Sequence, residues 1–100
     1  MPLDFYDIND IHLSQKLFEL DETDIETLEP VLSSLKKTTG VTIDPYGTTR
    51  IYANHIWLMI SLIQRFLLTL NNSILSKRAI LSRVLARFKE VQEGFIIIGD

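Results

Sequence analysis

Residues 55–70, HIWLMISLIQRFLLTL, decide the fold because they are apolar on nearly every side of a helix. Four residues alone form a narrow polar strip, namely Ser61, Gln64, Arg65 and Thr69. A helix of this kind is typical of a protein interior, so we expect it to be the central element of the core. Asn54 is the expected N-cap.

Residues 95–98, FIII, predict a buried strand near the C-terminus, which needs a partner strand. Two β-branched stretches, 41–44 and 48–52, flank the turn residues Pro45, Tyr46 and Gly47. This pattern predicts a hairpin at about 41–52. We expect the hairpin to pair with the C-terminal strand.

Residues 21–38 predict an acidic amphipathic helix. Thr23 and Glu26 have the spacing of a capping box, and Asp21 is an alternative cap. Pro30 lies inside the pattern and predicts either a kink or two short helices that meet there. Gly40 is the expected C-terminal stop.

A last helix is expected at about 74–93, with Gly94 as its stop, after a helix-to-helix turn at residues 71–73. Residues 1–20 predict only a short helix or an extended arm. The 100 residues suit one domain, since a single core typically serves ~100–150 residues. The predicted fold class is therefore α+β and mainly helical, with three or more helices packed on a small sheet.

The residue types favour a protein without catalytic chemistry. Without cysteine the chain has no disulfide, thiol nucleophile or Cys-based zinc site. His12 and His55 show no metal-ligand spacing, and the four glycines belong to no phosphate-binding loop. We expect no enzyme activity, no metal and no cofactor.

The acidic start of the chain lacks the basic and apolar regions of a secretory signal. The longest apolar run, residues 56–63, is shorter than the ~20 residues that span a bilayer. We therefore expect a cytoplasmic protein that does not bind membranes.

Charge is divided unevenly along the chain. Residues 1–35 hold nine acids and one base, whereas residues 36–100 hold four acids and nine bases. Two interpretations follow: the acidic and basic helices complement each other inside the fold, or an acidic surface faces a basic partner. The pI of about 5.3 disfavours direct binding of nucleic acid.

Three acids of the first helix, Glu22, Glu26 and Glu29, share one face because they recur at i, i+4 and i+7. Together with Asp21 they are the candidate partner-binding residues; the alternative is an ordinary solvated face. The bases of the last helix point in several directions, which favours solvated surface over a nucleic-acid site.

Aromatic residues flank the predicted hairpin. We expect Tyr46, Tyr52 and Trp57 to pack where the hairpin meets the next helix, although their polar atoms would also suit an interface.

The turn Asp44-Pro45-Tyr46-Gly47 is interpreted as structural. Asp44 can accept turn N–H groups as an Asx-turn, and Gly47 can supply a positive φ.

The segment Ile43-Asp44-Pro45-Tyr46-Gly47-Thr48-Thr49 resembles small immunity-type proteins of bacterial polymorphic-toxin loci. The upstream Thr39-Gly40, a following long helix and a C-terminal Ile-Gly-Asp strand fit the same pattern. Thr48 departs from it, because an acid is common after the glycine in that family.

The resemblance implies a protein that binds a cognate toxin domain, most often a basic nuclease, and neutralises it without catalysis. An acidic helix face can imitate the polyanion that such a nuclease binds. Two alternatives stay open: a general protein–protein adaptor, and a small nucleic-acid-binding regulator.

Overall fold

The computed structural model describes residues 2–70, 75–91 and 93–99. In these residues four strands and three helices follow in the order β1, β2, α1, β3, α2, α3, β4. Their bounds are β1 Leu3–Asp7, β2 Phe18–Leu20, α1 Glu22–Thr39, β3 Thr48–Tyr52, α2 Ala53–Thr69, α3 Leu75–Glu90 and β4 Gly94–Gly99. This confirms the predicted α+β class.

The sheet is antiparallel throughout and has the order β2-β1-β4-β3. Strand β4 is central, with Phe5 opposite Ile97 on one side and Ile51 opposite Phe95 on the other. Consecutive residues 94–97 of this strand are all buried, so both of its faces are covered there, and this explains why its sequence is apolar without interruption. The C-terminal strand was predicted correctly, but its second partner, β1, was not foreseen.

The prediction for residues 1–20 was wrong, because this segment supplies β1 and β2 instead of a short helix or arm. Leu3 and Phe5 on β1, and Phe18 and Leu20 on β2, alternate with polar residues and point to the same face. Their period of two was the available signal. The loop between the strands is held by Asp10, whose carboxylate accepts the N–H groups of Ser14 and Gln15 and so has a pKa below its usual range.

The predicted hairpin at 41–52 was also wrong. Only residues 48–52 form a strand, and residues 41–44 are irregular. The apolar Val41 and Ile43 pack against the core without entering a ladder. The N–H groups of Val41 and Asp44 bind side-chain oxygens, of Thr39 and Thr49, where a strand would bind backbone carbonyls. The alternation of apolar and polar residues in this segment therefore reflects packing against a helix and not pairing in a sheet.

Aromatic rings join the sheet to the helices. Phe5 and Phe18 stack with their ring centroids 4.6 Å apart, and Phe95 meets each of them edge-on. Phe88 of α3 lies 5.4 Å from Phe95 and 5.9 Å from Phe5. These are favourable aromatic geometries, and they fix the end of α3 against the face of the sheet that carries Phe5.

The central helix was predicted in type and position, but its start was not. Ile56, Met59 and Ile63 are buried, as expected. Helix α2 begins at Ala53 directly after β3, with Tyr52 and not Asn54 at the N-cap, and no side chain caps it. Helix α3 ends at Glu90, before the predicted limit, since Gly94 already belongs to β4. The predicted turn at residues 71–73 lies outside the described residues.

Helix α1 is continuous from Glu22 to Thr39, so Pro30 does not divide it into two helices. Its N-cap is Asp21, the alternative cap, and the box partner is Asp24, not the Thr23–Glu26 pair. Each carboxylate accepts the backbone N–H of the other residue, at 2.9 and 3.1 Å. Gly40 ends the helix in the left-handed region, as predicted.

Asp24 also binds Arg83 of α3, and this ion pair connects the two helices. The Asp24 side chain is 5% exposed, whereas that of Arg83 is 51% exposed. A buried carboxylate needs such partners, because leaving it unpaired costs several kcal/mol. Arg83 is therefore a structural cation, although half of its side chain lies in solvent as the sequence suggested.

We expect Asp24→Ala to lower the free energy of unfolding by about 2 kcal/mol, since it removes a cap and an ion pair whose cation is half exposed. Urea denaturation measures this value. Arg83→Ala and the double variant complete a cycle whose coupling energy should exceed ~0.5 kcal/mol. Additive losses would contradict the assigned pair.

Candidate functional site

The four predicted partner-binding residues are all exposed in the structure. Asp21 stands at the N-cap of α1, and Glu22, Glu26 and Glu29 follow along the same side of the helix. We call these four residues the acidic face. The opposite side of α1 is buried through Leu28, Val31 and Leu35, as the helical spacing predicted.

Most other acids near the N-terminus have local roles. Asp4 and Glu19 lie directly opposite each other on β1 and β2, where two like charges repel. Lys16 lies 3.5 Å from Asp4 and 3.0 Å from Glu19, and the pKa of its ammonium is raised, chiefly by Glu19. Lys16, the single base of residues 1–35, therefore compensates the two carboxylates that face each other across β1 and β2.

Glu26 and Glu29 differ from these acids, because they make no hydrogen bond or ion pair with any described residue. Like charges at spacings of three and four residues weaken a helix by about 0.2–0.5 kcal/mol per pair. Glu26 and Glu29 therefore do not stabilise α1 through charge pairing.

The irregular segment after α1 runs back along this helix and makes two shallow grooves with it. One groove, of about 270 Å³, is lined by Glu22, Ile25, Glu26, Pro45 and Tyr46. The other, of about 290 Å³, has Glu29 at its border, and Val41, Thr42 and Ile43 form its far wall. The acidic face thus borders the turn at residues 44–47, although the two are separate in the sequence.

The turn has the predicted Asx geometry, since the Tyr46 N–H donates to Asp44 Oδ1 at 2.9 Å. The prediction of a positive φ at Gly47 was wrong, because the positive-φ glycines of the described chain are Gly40 and Gly94. Gly47 is required for space: a Cβ there would lie 2.5 Å from Asp44 Oδ2. Its carbonyl also accepts the Gly99 N–H at 2.8 Å, which attaches the turn to β4.

The aromatic residues do not pack at a junction as expected. The exposed fractions are 71% for Tyr46, 52% for Tyr52 and 60% for Trp57. Tyr46 is held over the first groove, beside Glu22 and Glu26. An exposed aromatic ring beside carboxylates offers a partner's arginine both charge pairing and a cation–π contact. The sequence suggested Tyr46 as a turn residue or an interface residue, but not its position beside the acids of α1, because these neighbours in space come from another element.

Several bases of the second half have partners inside the chain. Arg83 binds Asp24, Arg87 lies 3.5 Å from Glu90, and Arg78 donates to the Leu67 carbonyl at 2.8 Å. The interpretation of internal complementarity therefore holds for the contact between α1 and α3, although Glu26 and Glu29 lie outside it.

The described residues contain no group of three or more His, Asp or Glu side chains able to hold a metal ion. His12 is exposed in the β1–β2 loop, and His55 lies half-buried in the first turn of α2. None of the helices in the described part of the chain has the length and apolarity to cross a membrane.

Comparisons with protein-family models, with curated proteins and with solved structures give no match for this chain. The candidate site therefore rests on its own geometry.

We expect Gly47→Val to lower the melting temperature, because the added side chain displaces the Asp44 carboxylate from the Tyr46 N–H. Thermal unfolding followed by circular dichroism measures the change. Gly99→Ala should cost more, since its Cβ would lie 2.3 Å from the backbone oxygen of Pro45, which cannot rotate away. In an Asp44→Gly background, Gly47→Ala should cost less than it does alone. A Gly47→Val protein that keeps its melting temperature but loses partner binding would contradict the structural role of Gly47.

Proposed function

We propose that this protein is a non-catalytic immunity protein that binds a cognate bacterial toxin domain, a basic nuclease, in the cytoplasm and neutralises it. The observation that supports the proposal best is the acidic face beside the exposed Tyr46. Its Glu26 and Glu29 have no partner among the described residues, and its groove is shallow and open. A shallow acidic surface suits a convex basic protein better than a small substrate.

Recognition would start with long-range attraction. Four carboxylates on one side of α1 create a negative potential that steers a cationic partner and raises the association rate. Tyr46 then supplies contact area beside Glu22 and Glu26, since aromatic residues are among those that contribute most to interfaces. A basic nuclease cleft, built to bind a polyanion, fits this combination of charge and exposed ring.

A general adaptor is the second candidate, because the same acidic face would serve any basic protein. The resemblance of residues 43–49 to immunity-type proteins favours the toxin partner over an adaptor. The third candidate, a nucleic-acid-binding regulator, is weakened by the use of Arg78, Arg83 and Arg87 in contacts within the chain.

The partner can be identified by purifying the tagged protein from extracts of its native cells and analysing what co-purifies by mass spectrometry. One stoichiometric toxin domain encoded next to this protein, whose lethality co-expression of this protein suppresses, would support the proposal. Several housekeeping proteins, or nucleic acid removed by salt, would contradict it.

With the partner in hand, Glu26→Lys tests the acidic face. We expect at least a tenfold loss of affinity, mostly through slower association at low salt, because the substitution reverses a charge at the centre of the face. Surface plasmon resonance at about 50 and 300 mM salt measures both rates.

The fold should be unaffected by Glu26→Lys, because the new lysine lies i+4 from Glu22 and i−3 from Glu29, which favours the helix. Glu90→Lys is the matched control, with the same charge change at an exposed acid of α3. Equal losses of affinity for the two variants would show that net charge, and not the acidic face, determines binding.

A further inference from the structure

Within the described residues, strand β3 is an edge of the sheet, because the order β2-β1-β4-β3 places a neighbour on one of its sides. The Gly99 N–H donates to the Gly47 carbonyl at 2.8 Å, so these residues open the β3–β4 ladder as a bonded pair. Bonded pairs recur at every second residue of an antiparallel ladder, so Thr49 forms the next one. The backbone N–H and C=O groups of Thr48 and Arg50 therefore point away from β4, to the open side of β3.

These outward backbone groups have no hydrogen-bond partner among the described residues. The irregular segment before β3 is bonded elsewhere, because the Asp44 N–H donates to Thr49 Oγ1 and the Val41 N–H donates to Thr39 Oγ1. A row of unpaired N–H and C=O groups is satisfied by an extended backbone, and peptides add to sheet edges in this way.

The two edges of the sheet differ in their suitability for a partner strand. The edge strand β2 has only three residues, and its Glu19 is paired with Lys16. Short edges of this kind protect a sheet against strand addition. In contrast, β3 has five residues, TTRIY, which favour strands and include no proline. The edge at β3 is therefore the better template for a further strand.

Arg50 determines which strand fits this edge. Its side chain is exposed, and it lies opposite the uncharged Ile96 of β4. Residues 45–89 contain no acid, and the acid that precedes them, Asp44, accepts the Tyr46 N–H. Opposite charges that face each other across two strands stabilise the pairing. A carboxylate on the added strand, placed opposite Arg50, therefore matches the charge of this edge.

The same charge disfavours a second copy of this chain as the partner. When two β3 strands pair antiparallel over their full length, Arg50 lies opposite Arg50 of the second copy, and two like charges in this position are destabilising. The first turn of α2, which follows β3 directly, has no acid and no side-chain cap. The positive end of its helix dipole therefore adds to the preference for an acidic strand.

We propose that β3 is a docking edge for an acidic, extended segment of a partner protein, which adds to the sheet as an antiparallel strand with a carboxylate opposite Arg50. Thr48 and Tyr52 are exposed on the same face as Arg50, so β-branched residues two positions before and after the carboxylate pack against them. The docking edge does not depend on the acidic face or on the proposed toxin partner, because it lies on another element and attracts the opposite charge.

Nuclear magnetic resonance of the ¹⁵N-labelled protein tests the docking edge, with the capped peptide Thr-Val-Glu-Val-Thr as the probe. A pentapeptide that forms only a few backbone bonds should bind with a Kd of about 1 mM. The amide signals of Thr48 and Arg50 should shift and their hydrogen exchange should slow, whereas the Thr49 amide, already bonded to β4, should change less. Equal changes at the three amides, or shifts that do not saturate by about 10 mM peptide, would overturn the proposal.

Two control peptides separate backbone pairing from charge. Replacement of the glutamate by lysine should weaken binding about fivefold, because two like charges then face each other. Methylation of the glutamate backbone nitrogen keeps the charge but removes the N–H that donates to the Arg50 carbonyl, so this peptide should not bind. Equal binding of the methylated and unmethylated peptides would overturn strand addition.

Arg50→Glu should reverse the preference, so that the lysine peptide binds more tightly than the glutamate peptide. The fold should be unaffected, because the Arg50 side chain is exposed and has no ion pair among the described residues. Thermal unfolding checks this. Arg65→Glu is the matched control, with the same charge change at an exposed arginine of α2. An Arg50→Glu protein that still prefers the glutamate peptide, or an equal reversal by Arg65→Glu, would overturn the assignment to β3.

A dilution series without peptide tests whether a second copy occupies the edge instead. The Thr48 and Arg50 amide signals should stay constant between about 0.05 and 1 mM protein. Shifts of these signals with protein concentration alone would assign the edge to a homodimer and overturn the proposal.

Discussion

The contact on which the rest of the arrangement depends is the one between Asp24 and Arg83. Asp24 caps α1 through its exchange of hydrogen bonds with Asp21, and the same carboxylate binds the α3 guanidinium. Because a buried carboxylate is costly without partners, α1 is held in one rotation about its axis. That rotation buries Leu28 and Leu35 and turns Glu22, Glu26 and Glu29 to solvent.

The acids of the chain have different structural roles, and the contact with Arg83 is one of them. Asp24 satisfies the internal complementarity between an acidic and a basic helix, while Asp4, Asp10 and Glu19 belong to the sheet and its loop. Of the acidic face, Glu26 and Glu29 have no such role among the described residues. Internal complementarity of the acidic and basic helices therefore involves Asp24, whereas the proposed surface for a basic partner involves other residues.

Sequence patterns correctly predicted those features of the fold that depend on residues close together along the chain. Helical spacing located the buried side of α1 and the core of α2, and glycine chemistry located the stop at Gly40. Pairing between distant segments was harder. Strands β1 and β2 contain acids, which strands disfavour, and their period of two extends over only 5 and 3 residues. Val41 and Ile43 alternate as a strand does, yet they pack beside α1, so periodicity alone could not distinguish a ladder from a helix-facing segment.

The candidate site also combines residues that are distant along the chain. The acids of α1 were identified from their spacing, but Tyr46 joins them only because Gly47 and Gly99 draw the turn towards the end of β4. Neighbouring like charges oppose helix formation, and α1 has its two lysines in the last turn, too far along to offset Glu26. Two acids without a partner among the described residues, Glu26 and Glu29, therefore lie near an exposed aromatic ring, and this is the combination on which the proposed binding of a cationic protein depends.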